Sequence, residues 1–111
     1  MADSIHHIPE SLNRPLQFKP IFKDKIWGGK RMGRLLGKAT GDLPNCGESW
    51  EISGVKGDVS MLADGSDHLQ SLLEKHRGLL VGQRVFDKHG AEFPLLIKFL
   101  DADEDLSVQV H

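Results

Sequence analysis

Apolar residues in this chain come in short runs separated by glycine, proline and charge, and the spacing within each run predicts the element it forms. Residues 1–15, "MADSIHHIPESLNRP", are polar and aperiodic, which predicts a mobile tail ahead of a single folded region over residues 16–111. "LQFKPIF" reads as a short extended segment, followed by a turn at Gly28 and Gly29 and a short amphipathic helix over "KRMGRLLG", closed by Gly37. After the loop "KATGDLPNCG", "ESWEISGVKGDVSMLAD" predicts two strands around a glycine turn, with Trp50, Ile52, Val55, Val59 and Met61 as core candidates. Leu69, Leu72, Leu73, Leu79 and Leu80 follow helical spacing behind a Ser66 or Asp67 cap, and "QRVFDKHG" adds another helical turn or two ending at Gly90. "EFPLLIKFLDADEDLSVQVH" predicts two strands joined by an acidic turn. The pattern as a whole is mainly β with short helices, an α+β arrangement.

Composition narrows the class. A chain of 111 residues with 39% hydrophobic and 27% charged content has room for one globular domain. No window approaches the ~18 apolar residues of a membrane span, and the N-terminus lacks the basic start and apolar core of a signal peptide, so a cytoplasmic address without a membrane partner is expected. Cys46, the single cysteine, excludes an internal disulfide and reads as a packed thiol. His6 and His7, in the polar tail, read as bystanders. Charge is uneven: eight of the 14 Lys/Arg but four of the 16 Asp/Glu precede residue 46. The basic stretch "KPIFKDKIWGGKRMGRLLGK" carries no recognised nucleic-acid motif, so it reads as a solvated, partly helical face with no nucleic-acid partner.

Four features carry candidate chemistry. Lys98 interrupts "FPLLIKFL", an apolar run of the kind a strand buried on both faces would show; its ammonium either snorkels out or faces a polar cavity that takes an anion. "DADED" begins like a calcium loop, but Leu106 replaces the glycine of the sixth position, which leaves an exposed acidic turn. The glycines of "WGGKRMGRLLG" lack the Lys and Ser/Thr that complete a phosphate loop. In "DLSVQVH", Ser107, Gln109 and His111 alternate onto one face of a strand, where an amide oxygen and a neutral imidazole can converge on one cation.

"KPIFKDKIWGGKRMGRLLG", "GESWEISG" and "FPLLIKFLDADEDLSVQVH", in this order and spacing, resemble the N-terminal part of class I mannose-6-phosphate isomerase (phosphomannose isomerase), the bacterial short form, from about Leu16 onward. The resemblance implies a cupin-like β-barrel, here incomplete, that holds one zinc ion and interconverts mannose 6-phosphate and fructose 6-phosphate. It implies Gln109 and His111 as zinc ligands, Lys98 and Ser107 in the substrate pocket, and Glu48, Trp50 and Trp27 in segments near the active site. The family's further ligands, a glutamate and a second histidine, have no counterpart in these residues. A catalytic zinc takes three protein ligands, so the chain is expected to be an N-terminal fragment, inactive alone. The alternative reading is a small non-catalytic cupin-like module that binds an anion or regulates.

Overall fold

The computed structural model describes residues 8–105. In chain order they form a 3-10 turn at Glu10–Leu12, β1 (Ile21–Gly29), α1 (Arg31–Arg34), β2 (Cys46–Val55), β3 (Asp58–Val59), α2 (Leu69–His76), α3 (Gly78–Val81), α4 (Gln83–His89) and β4 (Leu96–Leu100). The 3-10 turn falls within the stretch expected to be a tail. The described residues divide into two compact units, residues 8–19 with 53–95, and residues 20–52 with 96–105. The architecture is mainly β-sheet with short helices, and the strands among the described residues form an open sheet, not a closed barrel.

In the second unit β2 pairs with β1 and with β4. The β1–β2 ladder is antiparallel, with Ile21 opposite Trp50, Phe22 opposite Ser49 and Lys23 opposite Glu48. Beyond Lys23 the register slips, so that Asp24 and Gly29 both face Cys46. Gly28 and Gly29 therefore end a strand instead of making the expected turn. Glycine is required there by close approach: a Cβ on Gly28 would lie 2.5 Å from the Asn45 oxygen, and one on Gly29 would lie 2.8 Å from Asp101 Oδ2. The short helix α1 buries Met32 and is followed by Gly37 at φ +65°.

β4 carries the apolar run with its faces uncovered. Every one of its residues is exposed, Phe99 and Leu100 by half, and among the described residues β2 is its only paired strand. An apolar run marks the capacity to be buried on both faces; the burial itself needs elements packed over both faces.

In the first unit, the end of β2 turns through Gly57 (φ +90°) into β3, with Gly54 opposite Val59. The side chains sealed here are serines: Ser53 and Ser60 are fully buried, and the Ser53 amide donates to Ser60 Oγ at 2.8 Å. Val55 and Met61, expected in the core, are exposed. Leu69, Leu72 and Leu73 of α2 form the apolar interior, as their i, i+3, i+4 spacing predicts. The cap of α2 is neither Ser66 nor Asp67 but His68, whose Nδ1 accepts from the Ser71 amide at 3.2 Å. Asp67 accepts from Lys75 instead, at 2.9 Å. Arg77 takes a left-handed φ of 49° and breaks the helical phase, so Leu79 on α3 is exposed instead of continuing the leucine face.

Candidate functional site

Residues from β2 and β4 meet on one face of the second unit's sheet. Alternation along β2 puts Glu48 and Trp50 on the same side, and Trp50 Nε1 donates to Glu48 Oε1 at 2.7 Å. β4 brings Lys98 to the same oxygen, at 2.9 Å, fifty residues away in sequence. Lys98 Nζ also lies 5.7 Å from the centre of the Trp50 ring. Phe99, the next residue, faces the other way. There it meets Lys38, which is paired with Glu51 at 2.6 Å, while Glu51 accepts from Ser49 Oγ at 2.7 Å. The two sheet faces thus carry separate polar clusters.

Glu48 is 8% exposed, so the geometry around it decides its charge. Burial by itself would raise its pKa, but hydrogen bonds from Trp50 and Lys98 and the charges of Lys98 and Lys25 outweigh burial and hold the carboxyl below its ordinary value. Lys98 Nζ donates its hydrogen bond to this carboxylate. The lysine that the apolar run left unexplained is thus a half-buried, paired cation with about a third of its side chain open to solvent.

A second polar lock lies at the C-terminal end of β4. Asp101 is buried, and its carboxylate accepts from the Arg31 amide at 2.8 Å and from Arg31 Nε at 2.6 Å. Arg31 Nη2 donates to the Ala102 carbonyl, and the amides of Asp103 and Glu104 donate to the Trp27 carbonyl. The start of "DADED" is therefore not the exposed turn that charge alone suggested. Asp103, Glu104 and Asp105 are exposed.

Of the residues expected near a site, Glu48, Trp50 and Lys98 come into direct contact. The Trp27 ring packs over Gly47, where a Cβ would lie 2.8 Å from its Cζ3. Ser107, Gln109 and His111 lie outside the described residues. Cys46 is buried as expected, and burial is the main cause that pushes its thiol pKa up. Sequence reasoning passed over Lys23, which stands directly across from Glu48 and places Nζ 4.6 Å from the centre of the Trp50 ring. The available signal was the register between "IFK" and "ESW", which periodicity alone does not supply.

Comparison with known proteins places these segments. Residues 16–111 match the family model for phosphomannose isomerase type I, catalytic domain, and the chain belongs to that family. It is 42% identical over 100 residues to mannose-6-phosphate isomerase ManA of Bacillus subtilis, covering 87% of this chain and 30% of that protein. It is 37% identical over 102 residues to the mannose-6-phosphate isomerase of Streptococcus mutans, again covering 87% of this chain and 30% of the relative. Among solved structures it resembles the mannose 6-phosphate isomerase of Bacillus subtilis, with a TM-score of 0.63 and 36% identity over 79% of this chain and 27% of the other. The chain thus spans about 30% of the length of these relatives. No helix among the described residues is long and apolar enough to cross a membrane.

Among the described residues no group of three His, Cys, Asp or Glu side chains is placed to hold a metal ion. Gln109 and His111, expected from the resemblance as metal ligands, lie outside the described residues.

Proposed function

We propose that this chain supplies part of the catalytic unit of a cytoplasmic mannose-6-phosphate isomerase that interconverts mannose 6-phosphate and fructose 6-phosphate. The observation that carries the reading is the junction of Lys98 with Glu48 and Trp50, since it builds a charged, half-buried cluster from two segments of a chain whose relatives are named as isomerases. Aldose to ketose conversion moves a proton between adjacent carbons through an enediol, and charge develops on an oxygen as it does so. Lys98 is the cation to meet that oxygen or the sugar phosphate; Glu48 fixes its position, and the Trp50 indole fixes Glu48. Ser107, nine residues after Lys98, would donate a hydrogen bond from the same pocket, and Trp27 would wall it. Gln109 and His111 would hold zinc together with further donors, and the ion would act as a Lewis acid. Two donors fall short of the three a catalytic zinc takes, so these 111 residues alone should show no turnover with added zinc.

The test is a chimera in which residues 16–111 replace the matching segment of the Bacillus subtilis isomerase. It should isomerise mannose 6-phosphate, and Lys98→Met within it should lower kcat/KM by about 2 to 4 kcal/mol of transition-state binding while the fold is kept. A folded chimera without activity would overturn the assignment. Unchanged kcat/KM in the variant would mean that Lys98 only snorkels.

A further inference from the structure

β4 is a strand whose place is not set by burial. All of its residues are exposed, and among the described residues it pairs with β2 alone. A strand held in that way has a weakly specified register, and a slip of one residue would carry Lys98 to the opposite face, away from Glu48. Lys98 Nζ nevertheless lies 2.9 Å from Glu48 Oε1. What fixes β4 stands at its C-terminal end. Asp101, 4% exposed, donates its backbone amide to the Gly47 carbonyl at 2.8 Å, next to Glu48 in the chain, and its carboxylate accepts from the Arg31 amide and from Arg31 Nε. From this arrangement we infer that Asp101 and Arg31 are positioning residues for the site, a pair that holds β4 in the register delivering Lys98 to Glu48. The inference rests on the isomerase reading for its catalytic consequence, and on the geometry alone for the alignment.

Arg31 is itself anchored. It opens α1, whose next residue, Met32, is buried to 2% exposure, so its backbone amide is a fixed donor. Its guanidinium makes a further contact, Nη2 to the Ala102 carbonyl at 3.0 Å. Ala102 also bridges to Gly28, and the Trp27 carbonyl accepts from the amides of Asp103 and Glu104. Segments from β1, β2 and α1 thus grip the same short stretch directly after β4. A buried carboxylate is tolerated only where donors converge on it, and only one register puts Asp101 there. A shift of one residue would bring Leu100 or Ala102 to the Arg31 amide and leave that donor unpaired. Space is equally tight: a Cβ on Gly29 would lie 2.8 Å from Asp101 Oδ2, so the carboxylate fills a place cut to its length. The pair acts on Lys98 through the backbone of β4, three residues away from the ammonium it places.

The experiment reads the Glu48 carboxyl of the chain by carbon NMR, assigned by its loss in Glu48→Gln. Burial is the largest influence on this carboxyl and raises its pKa, whereas hydrogen bonds from Trp50 and Lys98 and the charges of Lys98 and Lys25 lower it; Lys23 stands across from it on β1. Lys98→Met should therefore move the Glu48 midpoint upward, and it sets the scale for a lost pair. Asp101→Asn should move the midpoint most of that distance. Removing the negative charge of Asp101 would by itself act in the opposite direction, so an upward shift reports the displacement of Lys98. Leu72→Val, a change in the leucine cluster, should leave the midpoint in place. The amide spectrum shows whether the sheet is intact; if Asp101→Asn loses it, Arg31→Lys, which keeps the charge and the amide donor but not the guanidinium fork, is read in the same way. In the chimera, Asp101→Asn should lower kcat/KM about tenfold, and the double variant with Lys98→Met should match Lys98→Met alone to within about twofold, because both changes remove one interaction. A pair that only stabilised the fold would give additive losses. An unmoved Glu48 midpoint in a folded Asp101→Asn or Arg31→Lys chain, or additive losses in the chimera, would overturn the inference. An inactive chimera in which Glu48 still responds to Asp101→Asn would sink the isomerase reading alone.

Discussion

The two units use their interiors differently. The unit containing residues 53–95 buries Leu69, Leu72 and Leu73 to 1–3% exposure, and its buried polar side chains are small hydroxyls that accept from backbone amides, Ser60 Oγ from Ser53 and Ser53 Oγ from Val55. The sheet unit buries Met32 and Cys46 but also Glu48 and Asp101, each held by a cation from a distant segment. Apolar burial stabilises without regard to direction, whereas a buried carboxylate is tolerated only where donors converge on it. The first unit is thus built as a support. The second is built to place charges, and that is where the family's chemistry is expected.

The largest effect that would sharpen this contrast is a cavity in the leucine cluster. Leu72→Ala should lower stability by about 2 to 5 kcal/mol in a denaturant titration, since the removed methyl groups leave a void that α2 cannot close. A loss near zero would mean that the leucines do not carry the first unit. Next comes the Asp101 lock. Asp101→Ala leaves the Arg31 amide without its acceptor, at a cost of about 1 to 3 kcal/mol, while the exposed Arg31 guanidinium recovers water. The same change should speed amide exchange at Asp103 and Glu104, whose amides close onto Trp27. An unchanged exchange rate there would show that the backbone bridge, not the carboxylate, holds the segment.

The smallest effect is electrostatic and belongs to the support unit. The Asp67 carboxyl is held at about 2 against an ordinary 3.8, first by the hydrogen bond from Lys75 and then by the His68 amide. A folded value below the unfolded one favours the ionised folded state, so this contribution is complete above the ordinary value and fades as the pH falls towards about 2. Glu48, also held below its ordinary value, adds a loss of the same sign. Asp67 is close to the surface, so screening keeps its share small. Acid unfolding of Asp67→Asn should accordingly begin from a slightly lower stability at pH 7 and change less below pH 4 than the parent chain. An identical acid profile would remove Asp67 from the account.

The contrast also explains what was legible. The support unit was read well where its signal is local: leucines at helical spacing mark α2, and Gly57 and Gly90 mark reversals because their positive φ suits a residue without a side chain. It was misread where a near neighbour competes. His68, Ser66 and Asp67 can all cap a helix, and only the packed loop shows which one turns inward. The sheet unit was read through its motifs, which pointed to Glu48, Trp50 and Lys98 without showing that they touch. The exposure of β4 is not legible in its apolar run, because an apolar strand declares what it can accept and not what covers it.

Short-range constraints were settled by the sequence itself: element types follow from periodicity, left-handed turns from glycine, and family membership from the order of three motifs. Tertiary structure alone decided that Glu48 takes Lys98 from one neighbouring strand and stands opposite Lys23 of the other, and that Asp101 is sealed by Arg31. Those partners stand 25 to 70 residues apart in the chain. Their meeting depends on strand register, where a slip of one residue would send each side chain to the opposite face.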